Sequence, residues 1–266
     1  MTPEIFAVSK LRDAGFLDAA REVRLLWSAT MQNRYADPDA RSIAAFEALI
    51  ARRLTHEPIS HLLGYRDFYA HRFIVNSDVL DPRPDTETLV EQCLAVDFER
   101  VLDLGTGSGC ILLSLLAARS NATGVGVDYS KAALDVAAQN AAQMNLEGRA
   151  TLRHSDWFSN VDGLFDLIVS NPPYIATDEM ADLQPEVQLH EPRMALTDGS
   201  DGLSCYAKIL AGHGPFLRTN GWLAVEIGPT QAAAVSQMMT DNGLVNMRVV
   251  TDLDNRNRVV LGQKLA

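Results

Sequence analysis

Only three of the 266 residues are cysteine, and Cys93, Cys110 and Cys205 are scattered without paired spacing. That excludes a disulfide framework and a cysteine-built zinc site, leaving buried thiols as the default, and no structural metal is expected. Long apolar runs are also missing, since nothing approaches the ~20 residues a membrane-crossing helix needs. The opening "MTPEIFAVSK" has neither a basic stretch before an apolar core nor a cleavage site, so a cytoplasmic protein without membrane contact is expected. Positive charge is scarce, with 23 Lys and Arg against 34 Asp and Glu. The deficit is uneven: 10 basic residues face 9 acidic ones through Val75, and 13 face 25 after it. So acidic a region lacks the cations that release counterions from a nucleic acid duplex. A protein or small-molecule substrate fits better, although excess acid also keeps proteins soluble.

What is present divides in two. From Pro3 to about Leu63 apolar residues recur at helical spacing, as in "SIAAFEALIARRL", where Ile43, Phe46, Leu49 and Ile50 share one face. "GYRDFYAHRFIVNSDVL" then turns aromatic and β-branched, predicting a hairpin or extended connector. In "DPRPDTETLVEQCL" prolines give way to an amphipathic helix with Asp85 as candidate N-cap. Beyond Arg100 strand and helix patterns alternate. Strands are expected at "VLDLG", "TGVGVD", "ATLRH", "LFDLIVS", "WLAVEIG", "VNMRVV" and "NRVVLGQ", and helices at "GCILLSLLAAR", "SKAALDVAAQNAAQM", "SCYAKILAGHG" and "TQAAAVSQMMTD". Such alternation gives right-handed crossovers and a mostly parallel sheet covered on both faces. The last two strands lack a helix between them and should be antiparallel. The division expected is a helical domain at 1–63, a hairpin and linker at 64–84, and an α/β domain at 85–266.

"VLDLGTGSGCI" places Asp103, Gly105, Gly107 and Gly109 between a strand and a helix, where missing side chains allow a sharp turn and a close ligand approach. Cys110 stands where a dinucleotide fingerprint has its third glycine, which disfavours a hydride-transfer cofactor. Asp128 ends the next strand, the position from which a carboxylate meets a ribose diol in α/β folds. Asp156, Trp157 and Phe158 follow the third strand and are placed to border an adenine ring. All these residues fall at strand C-terminal ends, where open α/β sheets bind ligands.

"DLIVSNPPYIAT" ends the fourth strand with Asn171, Pro172, Pro173 and Tyr174. Asn-Pro is by itself a turn signal. Beside a nucleoside-like pocket it suits a particular chemistry. A planar NH2 group has a delocalised lone pair, and methylating it requires its face to be held toward the electrophile. The Asn171 side-chain oxygen and the Pro172 carbonyl can each accept one N–H, and Tyr174 can stack on the planar group, fixing a near-attack geometry. No dedicated base is needed, because the methylated nitrogen becomes acidic and releases its proton afterwards. The sulfonium of S-adenosylmethionine would also sit well in an acidic domain.

On these residues the chain resembles the bacterial peptide-chain release factor N5-glutamine methyltransferases, the PrmC/HemK family. The resemblance runs over nearly the full length. It is carried by "EPISHLLGYRDFYAHRFIVNSDVLDPRPDTETLVE", "LDLGTGSGCI", "VGVDYS", "SDWF", "IVSNPPYI", "HEPRMALTDGSDGLSCY" and "NRNRVVLGQ". The glycine loop and Asn-Pro-Pro-Tyr are shared with other amino-methyltransferases, whereas Pro82–Glu87 with Glu191-Pro192-Arg193 are much more specific. The resemblance implies a Rossmann-like, seven-stranded methyltransferase sheet preceded by a helical bundle that helps grip the substrate protein, with a connecting β-hairpin. It implies S-adenosyl-L-methionine as cofactor, S-adenosyl-L-homocysteine as product, and peptide chain release factors as substrate; a monomeric chain is expected, and the acidic balance speaks against a direct nucleic acid partner. Carried onto this sequence, Gly105, Thr106, Gly107, Ser108 and Gly109 would contact the methionine side of the cofactor, Asp128 the ribose and Trp157 the adenine. Asn171, Pro172, Pro173 and Tyr174 would lie at the glutamine amide. Asp81 and Asn255 depart from the usual pattern, which bears on local backbone rather than on the reaction.

Two rivals remain open from sequence. An amino-methyltransferase acting on nucleic acid bases shares the Asn-Pro-Pro-Tyr chemistry, against which stands the acidic catalytic part. A non-catalytic S-adenosylmethionine-binding adaptor would have no use for Asn171 and Tyr174. His154 and His190 are read as structural rather than as general bases.

Overall fold

The computed structural model describes residues 2–31 and 38–265, so the stretch 32–37 within the expected helical region lies outside the described residues. The chain forms two compact units, one of residues 1–65 with 183–190, the other of residues 66–182 with 191–266.

The smaller unit holds α1 (Pro3–Asp13), α2 (Ala19–Thr30), α3 (Ala40–Arg53) and α4 (Ile59–Leu63). Thr2 and Asp39 cap α1 and α3, their side-chain oxygens accepting from the N–H groups of Ile5 and Ser42. The faces read from sequence turn inward: Leu11, Val23, Leu26, Phe46 and Ile50 make one core. Arg53 is buried beside it, donating to both carboxylate oxygens of Glu22 at 2.8 and 3.0 Å and to Glu186 at 3.1 Å, with its guanidinium 3.9 Å from the centre of the Phe16 ring.

The larger unit begins with the hairpin β1 (Tyr65–Phe68) and β2 (His71–Ile74), followed by α5 (Pro84–Leu94). Here one expectation fails. The cap of α5 is Arg83, and Asp85 lies inside the first turn, because proline at the first helical position needs no N–H and already has a helical φ. Asp85 pairs instead with Arg258 at 3.1 Å. Then come β3 (Arg100–Leu104), α6 (Cys110–Ala118), β4 (Thr123–Asp128), α7 (Lys131–Gln143), β5 (Ala150–His154) and β6 (Phe165–Ser170). A long connection carries α8 (Pro185–His190), which belongs to the smaller unit, and α9 (Arg193–Leu196). The chain ends with α10 (Ser204–Gly212), β7 (Leu217–Glu226), α11 (Ala232–Asp241), β8 (Leu244–Thr251) and β9 (Asn257–Lys264).

The sheet has seven strands in the order β5-β4-β3-β6-β7-β9-β8. The first five are parallel, and β9 inserts antiparallel to both β7 and β8, as the missing helix between the last two strands predicts. Alternation along each strand feeds two cores: Val101 faces α5, α6 and α7 with one, while Leu102 and Leu104 face α10 and α11 with the other. Two strand glycines explain the close seat of α6. A Cβ on Gly124 would stand 2.5 Å from Leu112 Cδ1, and one on Gly126 3.0 Å from Leu112 Cδ2. The registers Leu104↔Val127, Leu104↔Ser170 and Asp128↔His154 bring the C-terminal ends of β3, β4, β5 and β6 to one edge.

Candidate active site

At that edge the larger unit encloses a cavity of about 420 Å³, in the range of small-molecule sites. The glycine loop forms one wall. Gly105, Gly107 and Gly109 all adopt positive φ (72°, 54° and 79°), which a side chain would strain. The N–H groups of Gly105 and Thr106 both donate to the Val127 carbonyl, and the Thr106 hydroxyl donates to Asp103 Oδ2 at 2.7 Å. Burial pushes the Asp103 carboxyl up to about 7. The two lining glycines keep the space before them open, since a Cβ on Gly105 or Gly107 would meet no atom within 4 Å.

Asp128 faces the loop from the end of β4. Its Oδ2 accepts from Gly107 N–H at 2.9 Å and its Oδ1 from Ser130 N–H at 2.8 Å, leaving each oxygen a free lone pair. Burial raises its pKa against the lowering effect of those N–H groups. Tyr129 and Trp157 line the same region. Trp157 has φ +50°, a strained conformation for so bulky a residue, and the Ser155 hydroxyl holds its carbonyl at 2.8 Å.

Asn171 and Pro173 border the cavity from β6, whose last residue Ser170 donates its hydroxyl to the Leu104 carbonyl at 2.6 Å. This bond ties the Asn-Pro-Pro-Tyr turn to the root of the glycine loop. Asn171 Nδ2 donates to Thr86 Oγ1 at 3.2 Å.

The structure thus gathers Gly105, Thr106, Gly107, Ser108, Asp128, Trp157, Asn171 and Pro173 around one cavity. Other expected residues stand elsewhere. Gly109 is the residue before α6, where a Cβ would meet Leu113 Cδ1 at 3.1 Å, so its part is helix packing. Pro172 is buried within the turn, between Asn171 and Pro173, which both line the cavity. Tyr174 is not on the wall: its ring packs on the α10–α11 core and its hydroxyl donates to Glu226 Oε1 at 3.3 Å. Phe158 does not border the cavity either, because its ring stacks on Phe216 at 5.0 Å, against Gly212. His154 and His190 lie off the cavity, and His190 Nε2 is 2.8 Å from the Thr55 carbonyl oxygen inside the smaller unit.

Sequence reasoning missed several supports. Asn140, fully buried on α7, donates to the carbonyls of Ser108 at 2.9 Å and Ile74 at 3.0 Å and accepts from Ile74 N–H at 2.6 Å, joining hairpin to glycine loop. An amide on the apolar face of "KAALDVAAQNAAQM" was the available signal. Arg83 lines the cavity and donates to Glu191 at 2.6 Å, so the two most specific sequence motifs touch each other. Gln231 Nε2 donates to the Tyr174 carbonyl at 2.9 Å, pinning the turn from below. Behind it Glu226, at the end of β7, is buried and raised to about 7 by desolvation.

Residues 72–200 match the family described as "Methyltransferase small domain", and residues 5–64 match "PrmC N-terminal domain". A release factor glutamine methyltransferase of Cereibacter sphaeroides is 47% identical over 96% of this chain and 94% of its own length. One of Caulobacter vibrioides is 41% identical over 97% and 94%. Among solved structures, a methyltransferase from Pyrococcus furiosus superposes with a TM-score of 0.55 at 15% identity, over 83% of this chain and 98% of that one, a likeness of fold.

Proposed function

Because the chain belongs to the release factor glutamine methyltransferase family, we propose that it methylates the side-chain amide nitrogen, N5, of the glutamine in the Gly-Gly-Gln motif of peptide chain release factors, with S-adenosylmethionine as donor. The observation that carries this reading is Asn171, an amide at the end of β6 that shares one cavity with the glycine loop and Asp128.

The residues present fit such a cofactor. Open space before Gly105 and Gly107 admits a ligand against bare backbone, and the free lone pairs of Asp128 suit a ribose diol. When bound, S-adenosylmethionine supplies an electrophilic methyl group on a sulfonium. The chain's own residues do the rest. With its NH2 end turned to Thr86, Asn171 offers Oδ1 to one N–H of the glutamine amide, and the Pro172 carbonyl offers a second acceptor. Two acceptors at fixed positions hold the amide plane and turn its face to the methyl group, the orientation the delocalised lone pair needs. Tyr174, held by Glu226 and Gln231, backs the turn. The proton left on nitrogen passes to water, since methylation makes it acidic. The smaller helical unit, which includes the "PrmC N-terminal domain" match, is assigned to gripping the release factor.

The test is transfer of radiolabel from S-adenosylmethionine to purified release factor, with native protein, Asn171→Ala, and a release factor whose Gly-Gly-Gln glutamine is replaced. Label should require the glutamine and fall on the order of 10²-fold or more with Asn171→Ala. Label in RNA or DNA and none in the release factor would overturn the substrate, and an Asn171→Ala protein of undiminished activity would overturn the role of the amide.

A further inference from the structure

The stretch Pro82–Glu87 is the most specific motif of the sequence, and three of its polar side chains have visible partners. Arg83 donates to Glu191, Asp85 pairs with Arg258, and Glu87 Oε1 accepts from the Tyr69 N–H at 2.9 Å. Thr86 is the fourth. It is 2% exposed, in the first turn of α5, and its Oγ1 accepts from Asn171 Nδ2. Its own hydroxyl proton needs an acceptor.

Glu226, 1% exposed, supplies one. Its Oε1 takes the Tyr174 hydroxyl, while its Oε2 is buried without a hydrogen-bond partner. Such an orphan acceptor is costly unless something nearby can satisfy it. The Thr86 hydroxyl, the Arg258 guanidinium and the Tyr174 hydroxyl all favour the ionised form of this carboxylate. Above about pH 7 this carboxyl is ionised and only accepts, so there Thr86 donates toward Glu226. A hydroxyl that donates there is left with its lone pairs for Asn171, and must therefore receive the NH2 end of that amide. The Oδ1 end is left for the cavity.

We propose that Thr86 and Glu226 are positioning residues that fix the rotation of the Asn171 side-chain amide, so that its oxygen rather than its NH2 meets the substrate amide. The inference rests on the reading above, in which the acceptor group brings N–H donors. Because the two ends of an asparagine amide are nearly isosteric, shape alone does not select one. A flipped Asn171 would set NH2 against NH2 and remove one of the two acceptors that orient the glutamine.

The experiment compares native protein with Thr86→Val, Thr86→Ser and Glu226→Gln. It reads kcat and KM for the release factor, S-adenosylmethionine affinity, melting temperature, and hydrogen exchange of the Asn171 side-chain NH2 by NMR, its resonances identified by their loss in Asn171→Asp. Thr86→Val keeps the shape and removes the hydroxyl. It should lower kcat on the order of 10²-fold, leave cofactor affinity within about twofold, and abolish protection of the Asn171 NH2. Thr86→Ser should restore most of the rate. Glu226→Gln places a donor where only an acceptor stood, lets the relay run backwards, and should lower kcat with a native melting temperature. Thr86→Val with native kcat and native exchange overturns the inference, and so does Thr86→Ser as damaged as Thr86→Val, which would make the role one of packing. If native protein leaves the release factor unlabelled while exchange of the Asn171 NH2 still depends on Thr86, the proposed reaction falls and the orientation of Asn171 stands.

Discussion

Gly202 has no room for a side chain. Its φ is +78°, and a Cβ there would lie 2.2 Å from the Tyr174 carbonyl oxygen, the atom that Gln231 holds. Gly202→Ala must therefore displace the turn that carries Asn171, which approaches it through the Tyr174 carbonyl. Misplacing a positioning group by about 1 Å costs on the order of 10²-fold in turnover. Steady-state methyl transfer, measured beside cofactor affinity, should show kcat lost and affinity nearly kept; full turnover would mean that the turn tolerates displacement. Residues of this kind divide by how visible they are in sequence. Gly105, Asp128 and Asn171 each interrupt an apolar strand at its end, so their oddity is local. Thr86 and Glu226 act on partners 85 and 52 residues away. "WLAVEIG" reads as an ordinary buried strand, and a single acid inside it was the whole signal. Tyr174 shows the converse: its chemistry suggests stacking on a substrate, while its ring packs on the α10–α11 core and its hydroxyl bonds Glu226.

The elements of the larger unit were mostly legible because their periods differ. Buried parallel strands of five or six residues alternate with longer amphipathic stretches, and β3, β4, β6, α6 and α7 fall where that alternation puts them. Boundaries set by capping were less so, as Arg83 in place of Asp85 shows. Helix α8 gave no signal, being too short for a period to form. The seat of α6 on the sheet is the element most sensitive to one atom. Gly124→Val would force side-chain atoms into Leu112 Cδ1 and Val101 Cγ1, which a Cβ alone would already approach at 2.5 and 2.9 Å. The expected loss is about 1–3 kcal/mol of stability from overpacking, read by urea denaturation. An unchanged midpoint would show that α6 can lift off the sheet at no cost.

Across the whole molecule two buried carboxyls set a pH dependence. Asp103 and Glu226, ordinarily near 3.8 and 4.5, are each raised to about 7 by burial. Between those values the native chain holds protons that the unfolded chain has released, so these groups make stability fall as pH rises from about 5 to 7. His213 acts the other way, because burial lowers its pKa and the unfolded chain takes up a proton first on acidification. A difference measurement separates them. Asp103→Asn should gain stability relative to native protein as pH goes from 5 to 8 in denaturant titrations. Parallel profiles for the two proteins would show that Asp103 is ionised throughout.

The excursion of α8 changes what can be exchanged between relatives. The chain crosses from one unit to the other after Tyr65, after Asp182 and after His190. A hybrid with a single junction at Tyr65 would take its Arg53 from one parent and its Glu186 from the other, although the two are bonded at 3.1 Å. The smaller unit therefore cannot be transplanted intact by swapping the first 65 residues alone. The inherited unit is discontinuous, and a graft that keeps this bond has to carry 183–190 with it.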